Sequence, residues 1–237
     1  MRKLAIVGMA SLLVGAFALE ALAEKIPNDN PFPPDNPGQC NTQTYKSRRS
    51  AQLNLNIPDA DPAGVTTPPI QFVADGTTIA DVVISLEISH TWVGDLNVSV
   101  SYDHDCQPAT PAFGPVALLC RQQLAGCPVD GCCGCSGDLL QGGRYDFGTV
   151  GSTKELAAAG QCPLAIPFGC YRPALESQFQ LDVFASLRKD GCWILSLQDG
   201  AGADLGVLYN WEVRILNQVS TAVENATWGA IKAGYND

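Results

Sequence analysis

The 237-residue chain carries 24 acidic against 14 basic side chains, a formal net charge of −10. Phosphate backbones and anionic lipid surfaces repel such a surface, which sets nucleic acid and peripheral membranes aside and favours divalent cations or basic peptides as partners. Ten cysteines, an even number, point to an oxidising compartment and a disulfide-stapled fold.

At the N-terminus, Arg2 and Lys3 precede an uncharged, mostly apolar run from Leu4 to Leu19, and Ala21-Leu22-Ala23 offers small residues to signal peptidase. The expectation is a signal peptide over residues 1–23, cleaved before Glu24. The run is short for a hydrocarbon core of about 30 Å and leads into an acidic, Pro-rich stretch rather than a stop-transfer pattern. No later apolar stretch is long enough to span a bilayer, so the mature chain is expected to be secreted, either extracellular or periplasmic. Its loss of Arg2, Lys3 and Glu20 takes the formal charge from −10 to −11.

Residues 24–50 hold Pro27, Pro31, Pro33, Pro34 and Pro37 among Asn and Asp, a composition that builds no apolar core and reads as a linker or extended arm. Its end, Lys46-Ser47-Arg48-Arg49-Ser50, reads as a solvated charge run, with a processing site at the paired arginines as the alternative. From residue 51 the pattern changes to the period-2 alternation of strands with one buried face. Leu53, Leu55 and Ile57 alternate with Gln52, Asn54 and Asn56. In Asp81 to His90, Val82, Ile84, Leu86 and Ile88 are expected inward and Ser85, Glu87 and Ser89 toward water. Leu96, Val98, Val100 and Tyr102 follow the same rule, as do Trp193, Leu195 and Leu197, and then Tyr209, Trp211, Val213 and Ile215. Lys154 to Gly160 is the best short helix candidate. The fold class is all-β, one antiparallel sandwich over residues 51–217, followed by a tail at residues 218–237.

The cysteines are Cys40 in the linker, Cys106, Cys120, Cys127, Cys132, Cys133 and Cys135 crowding one segment, then Cys162, Cys170 and Cys192. All ten are disulfide candidates, and their connectivity is open. Thiolate metal ligation by the crowded segment is disfavoured, because it lacks two separated Cys-x2-Cys knuckles and exported thiols tend to oxidise.

Three stretches carry a resemblance. Asn56-Ile57-Pro58-Asp59-Ala60-Asp61-Pro62-Ala63-Gly64-Val65 comes first, then His90-Thr91-Trp92-Val93-Gly94-Asp95-Leu96. The third runs from Gly191-Cys192-Trp193-Ile194-Leu195-Ser196-Leu197-Gln198-Asp199 to Gly206-Val207-Leu208-Tyr209-Asn210-Trp211. In this order and spacing they resemble the opening, the His-Thr-aromatic-x-Gly-Asp-Leu signature and the ending of the P (Homo B) domain, which accompanies proprotein convertases and bacterial subtilisin-type proteases. Cys192 departs from the pattern, as does the cysteine-rich insert from Cys106 to Cys135. The resemblance implies a jelly-roll sandwich of galactose-binding-like architecture that supports the folding and calcium dependence of a protease. It marks His90, Trp92, Gly94, Asp95, Trp193, Gly206 and Trp211 as structural motif positions, with His90 and Asp95 stabilising the turn after a strand.

No His-Gly-Thr or Gly-Thr-Ser motif of a subtilisin is present, and His90 and His104 are the two histidines. No catalytic residue is assigned. A general base needs a nucleophile in hydrogen-bond reach and an orienting acid, which the nearness of Asp95 does not by itself supply. His104, in Tyr102-Asp103-His104-Asp105-Cys106, reads as a surface loop residue, with metal ligation as the alternative. Calcium is the one cofactor with a physical argument, because hard cations take carboxylate and carbonyl oxygens from loops; Asp95, Asp199 and Asp204 are the candidates. The competing reading is that Asp favours turns by accepting nearby backbone N–H groups.

Asn97-Val98-Ser99 and Asn225-Ala226-Thr227 fit the glycosylation sequon. The tail, with Trp228, Ile231 and Tyr235, reads either as a docking or sorting peptide or as a segment packed on the sandwich. Two function classes follow, beside a third reading as a family-level serine endopeptidase without a catalytic triad of its own. One is a non-catalytic module contacting a protein, such as a protease; the other is a carbohydrate-binding module with Trp92, Trp211 or Trp228 as a sugar platform.

Overall fold

The computed structural model describes residues 40, 45–106, 113–120, 137–149, 156, 165–174 and 177–218. Their strands run in chain order as β1 (Lys46–Arg49), β2 (Leu55–Ile57), β3 (Val65–Thr66), β4 (Ile70–Gln71), β5 (Ile79–His90), β6 (Leu96–Asp103), β7 (Phe113–Leu119), β8 (Tyr145–Gly148), β9 (Gly169–Tyr171), β10 (Cys192–Asp199) and β11 (Gly206–Asn217). Single 3-10 turns lie at Val93–Asp95 and Leu181–Phe184.

These strands form two sheets. One has the order β1-β11-β5-β8-β9, with β2 also on β11; the other has the order β3-β10-β6-β7, with β4 also on β10. The all-β sandwich is thus present, and its pairings are antiparallel except that β8 and β9 run parallel. The inward faces follow the alternation: Val82, Ile84, Leu86 and Ile88 of β5 meet Leu96, Val98, Val100 and Tyr102 of β6 and Leu195 and Leu197 of β10 in one buried core. Trp193 closes it with rings edge-on to Tyr102 and Phe184, at centroid distances of 4.9 and 5.0 Å. Leu156, the one described residue of the helix candidate Lys154 to Gly160, is also in this core.

Three expectations are corrected. The charged run Lys46–Arg49 is an edge strand, paired residue by residue with Ile215 to Glu212, so the sheet starts before residue 51. Charged side chains suit such an edge because they discourage further pairing. Tyr209 is not in the inward row: the β5–β11 register shifts between Leu208 and Asn210, so Leu208 and Trp211 are fully buried while Tyr209 is half-buried. An extra residue in a strand turns the side chains before it to the other face. Ser85, expected to face water, is buried on the outer face between Glu212 of β11 and Asp146 of β8. Asp146 there holds Arg144 Nε and Arg214 Nη2, each at 2.8 Å.

Two disulfides join Cys40 to Cys170 and Cys106 to Cys192. Cys40 is buried, so the arm assigned as linker is tied to β9 at that point. Cys127, Cys132, Cys133, Cys135 and Cys162 lie outside the described residues, as do the tail beyond Gln218, Trp228 and the sequon at Asn225. Cys120 follows β7, and Asn97 is half-buried within β6. Among the described residues, no helix is long and apolar enough to cross a membrane.

Candidate functional site

Consecutive strands β5 and β6 belong to different sheets, as do β10 and β11, and both crossings occur at the same end. This puts the segment Thr91 to Asp95 beside the segment Gly200 to Leu205, although more than a hundred residues separate them in sequence. The Thr91 amide donates to the Leu205 carbonyl at 3.3 Å, and the Gly200 amide to the Asp95 carbonyl at 2.9 Å.

His90 sits at this seam with only 1% of its surface exposed. Its Nδ1 accepts the Trp92 amide at 3.1 Å, and its Nε2 lies 3.2 Å from Asp199 Oδ2. A backbone N–H can only donate, so Nε2 carries the ring hydrogen and donates it to the carboxylate. The other oxygen of Asp199 accepts the Ala201 amide at 3.2 Å. Both ring nitrogens therefore have fixed partners inside the protein. Gly206 makes room for the ring: a Cβ at that position would stand 2.3 Å from His90 Cδ2 and 2.9 Å from Ile57 Cδ1.

The acid that orients His90 is thus Asp199, not the sequence-near Asp95. Asp95 and Gly94 instead form the buried 3-10 turn that carries the chain between the sheets, where the Asp95 amide donates to the Trp92 carbonyl at 3.1 Å. Trp193 and Trp211 are core residues with no exposed surface, and Trp92 is 40% exposed.

The three calcium candidates share this end without forming a ligand set. Asp199 is buried on His90 and the Ala201 amide, Asp204 Oδ1 accepts the Thr91 hydroxyl at 2.8 Å, and no group of three His, Cys, Asp or Glu side chains that could hold a metal occurs among the described residues. Asp95, Asp199 and Asp204 thus form no carboxylate cluster of their own among the described residues. His104 is at the opposite end, paired with its neighbour Asp105 at 2.8 Å on the surface.

Sequence reasoning did not mark Leu140 and Leu205, which are 44% and 72% exposed at the same end as Trp92. Leu139, next to Leu140, exchanges backbone hydrogen bonds with His90 at 2.8 and 3.0 Å. The Leu140 amide donates to Tyr145 Oη at 2.9 Å, and burial pushes that phenol up to about 12. Three loops thus bring one large exposed apolar side chain each to the same end of the sandwich, and of these only Trp92 lies in a sequence motif.

No family model matches the chain, and no curated protein matches it. Among solved structures, it is similar at 12% identity and a TM-score of 0.39 to the Aeromonas sobria serine protease in complex with its chaperone, over 75% of this chain and 27% of that one. A second structure, the serine protease of Aeromonas sobria, matches at 12% identity and a TM-score of 0.36, over 74% of this chain and 27% of that one. The chain therefore spans about a quarter of the length of the structures it matches. At identities and TM-scores this low, the likenesses assign neither family nor function.

Proposed function

We propose that this chain is a secreted, non-catalytic sandwich module of the P-domain type that works by contact with another protein, in a protease-accessory or stabilising role. The observation that carries the reading is the closed state of His90. With Nδ1 accepting an amide and Nε2 donating to a buried carboxylate, the imidazole has no lone pair with which to take a proton from a nucleophile. Its hydrogen bonds instead lock the turn that joins the sheets.

The ordered motifs support the type assignment. His90 to Leu96 makes the first crossing, Cys192 to Asp199 is β10, and Gly206 to Trp211 opens β11 behind the second crossing. Both disulfides fit an oxidising destination.

A carbohydrate-binding role would rest on Trp92, the one exposed tryptophan among the described residues. Protein contact is favoured because the exposed neighbours sharing that face, Leu140 and Leu205, are aliphatic.

Treating the purified full chain with a fluorophosphonate reagent tests the non-catalytic claim. The expected mass spectrum is that of the unmodified protein. A serine adduct that disappears in His90→Gln would overturn the proposal.

A further inference from the structure

We infer that the end of the sandwich bearing Trp92, Leu140 and Leu205 is the docking surface, and that its occupant is a partner-protein segment carrying Lys or Arg beside apolar side chains. The inference rests on the protein-contact role proposed above and adds to it a place and a partner chemistry.

The loops that make this face are residues 58–64, 91–95, 137–143 and 199–205, and they contain six aspartates and no Lys or Arg. Asp95 and Asp199 are buried, while Asp59, Asp61, Asp138 and Asp204 keep surface exposed. Three of these four spend an oxygen on an uncharged donor: Asp59 on the Ala203 amide at 3.3 Å, Asp61 on the Ala63 amide at 2.9 Å and Asp204 on the Thr91 hydroxyl at 2.8 Å. No described Lys, Arg or His forms an ion pair with any of the four. The face thus joins exposed apolar side chains to aspartates that have no cationic partner among the described residues, the complement of a cationic, apolar segment.

The backing is tied by buried contacts. The locked His90, the closely packed Gly206 and the Tyr145 hydroxyl on the Leu140 amide hold the loops before a partner arrives, which lowers the ordering cost of binding. Hot spots favour Trp, so Trp92 is the expected anchor, with Leu140 and Leu205 as the surrounding contacts that exclude water.

Selection of a random-peptide phage library on the immobilised full chain tests this. The expected consensus pairs Lys or Arg with apolar residues, and its peptides bind about tenfold or more weakly to the double variant Trp92→Ala, Leu205→Ser. Asn at both Asp59 and Asp204 should weaken them by about threefold and flatten their salt dependence. Val73→Ser, at the opposite end, should leave them unchanged. All five altered side chains keep exposed surface, and unfolding midpoints near that of the parent confirm that each variant folds. An acidic consensus, no consensus, or one indifferent to Trp92 and Leu205 would overturn the inference. So would oligosaccharide binding on a glycan array that is lost with Trp92→Ala. A consensus indifferent to Trp92 and Leu205 would overturn this surface and leave the protein-contact role standing, whereas glycan binding lost with Trp92→Ala would overturn both.

Discussion

At one end of the sandwich Lys46 and Lys189 both reach Asp75, Arg188 reaches Asp190, and the Cys106–Cys192 bridge joins the last residue of the β6 turn to the first of β10. At the other end four partly exposed aspartates have no cation among the described residues, and three large apolar side chains stand in solvent. The basic side chains Lys46, Arg188 and Lys189 at the first end are thus matched within the fold. Of the four aspartates at the second end, three accept uncharged donors of the turns instead.

Breaking the covalent tie at the paired end should have the largest effect. The bridge joins residues 86 apart, and replacing Cys106 and Cys192 by Ser should lower unfolding free energy in guanidinium by about 4 kcal/mol. A loss below about 1 kcal/mol would mean that non-covalent contacts already hold that end.

At the other end, the His90–Asp199 pair is the matching tie. His90→Phe leaves a buried carboxylate with one amide partner and should cost about 3 kcal/mol. Asp199→Asn keeps an oxygen for Nε2–H but sets its NH2 against the Ala201 N–H, and should cost about 2 kcal/mol. Gly206→Ala should cost about 2 kcal/mol through its clash with the His90 ring. Combined with His90→Ala it should cost less than the sum of the two single changes, since the clashing ring is gone.

Titration reaches both ends, Asp75 on the acid limb, and Tyr102 and Tyr145, both raised by burial, on the alkaline limb. Hydrogen bonds from Lys189, then Thr77, hold the Asp75 carboxyl well below its ordinary 3.8. Its folded-state value being depressed, this stabilisation is present above 3.8 and is lost as pH falls below it; Asp75→Asn should flatten that acid limb of thermal unfolding. Tyr145, beneath Leu140, is raised by burial from 10.0 to about 12, so its contribution is full below 10.0 and is lost as pH rises toward 12. Tyr145→Phe should flatten the alkaline limb. The smallest effect on stability belongs to Trp92→Ala, within about 0.5 kcal/mol, because that side chain serves the surface.

How far the sequence foretold these ends depends on the kind of signal each carries. The long strands β5, β6, β10 and most of β11 announce themselves by alternation, since a half-buried strand has period two. Edge strand β1 does not, because its charged residues have no buried face to imprint a pattern. The bulge at Tyr209 is silent because one inserted residue leaves composition unchanged and alters only phase. His90 was legible as a structural residue, yet its partner was not: local reading offers Asp95, while sheet topology brings Asp199 from 109 positions away. The Trp92, Leu140 and Leu205 face was illegible for the same reason, being one residue from each of three loops that only the two sheet crossings bring together.

The central claim is that His90 holds the fold and hydrolyses nothing. Casein digestion by the purified chain, run beside His90→Gln with parallel unfolding curves, tests it most directly. The account predicts no cleavage above the protein-free blank by either protein and a loss of stability in the variant. Casein cleavage by the parent chain that vanishes in a folded His90→Gln protein would contradict it.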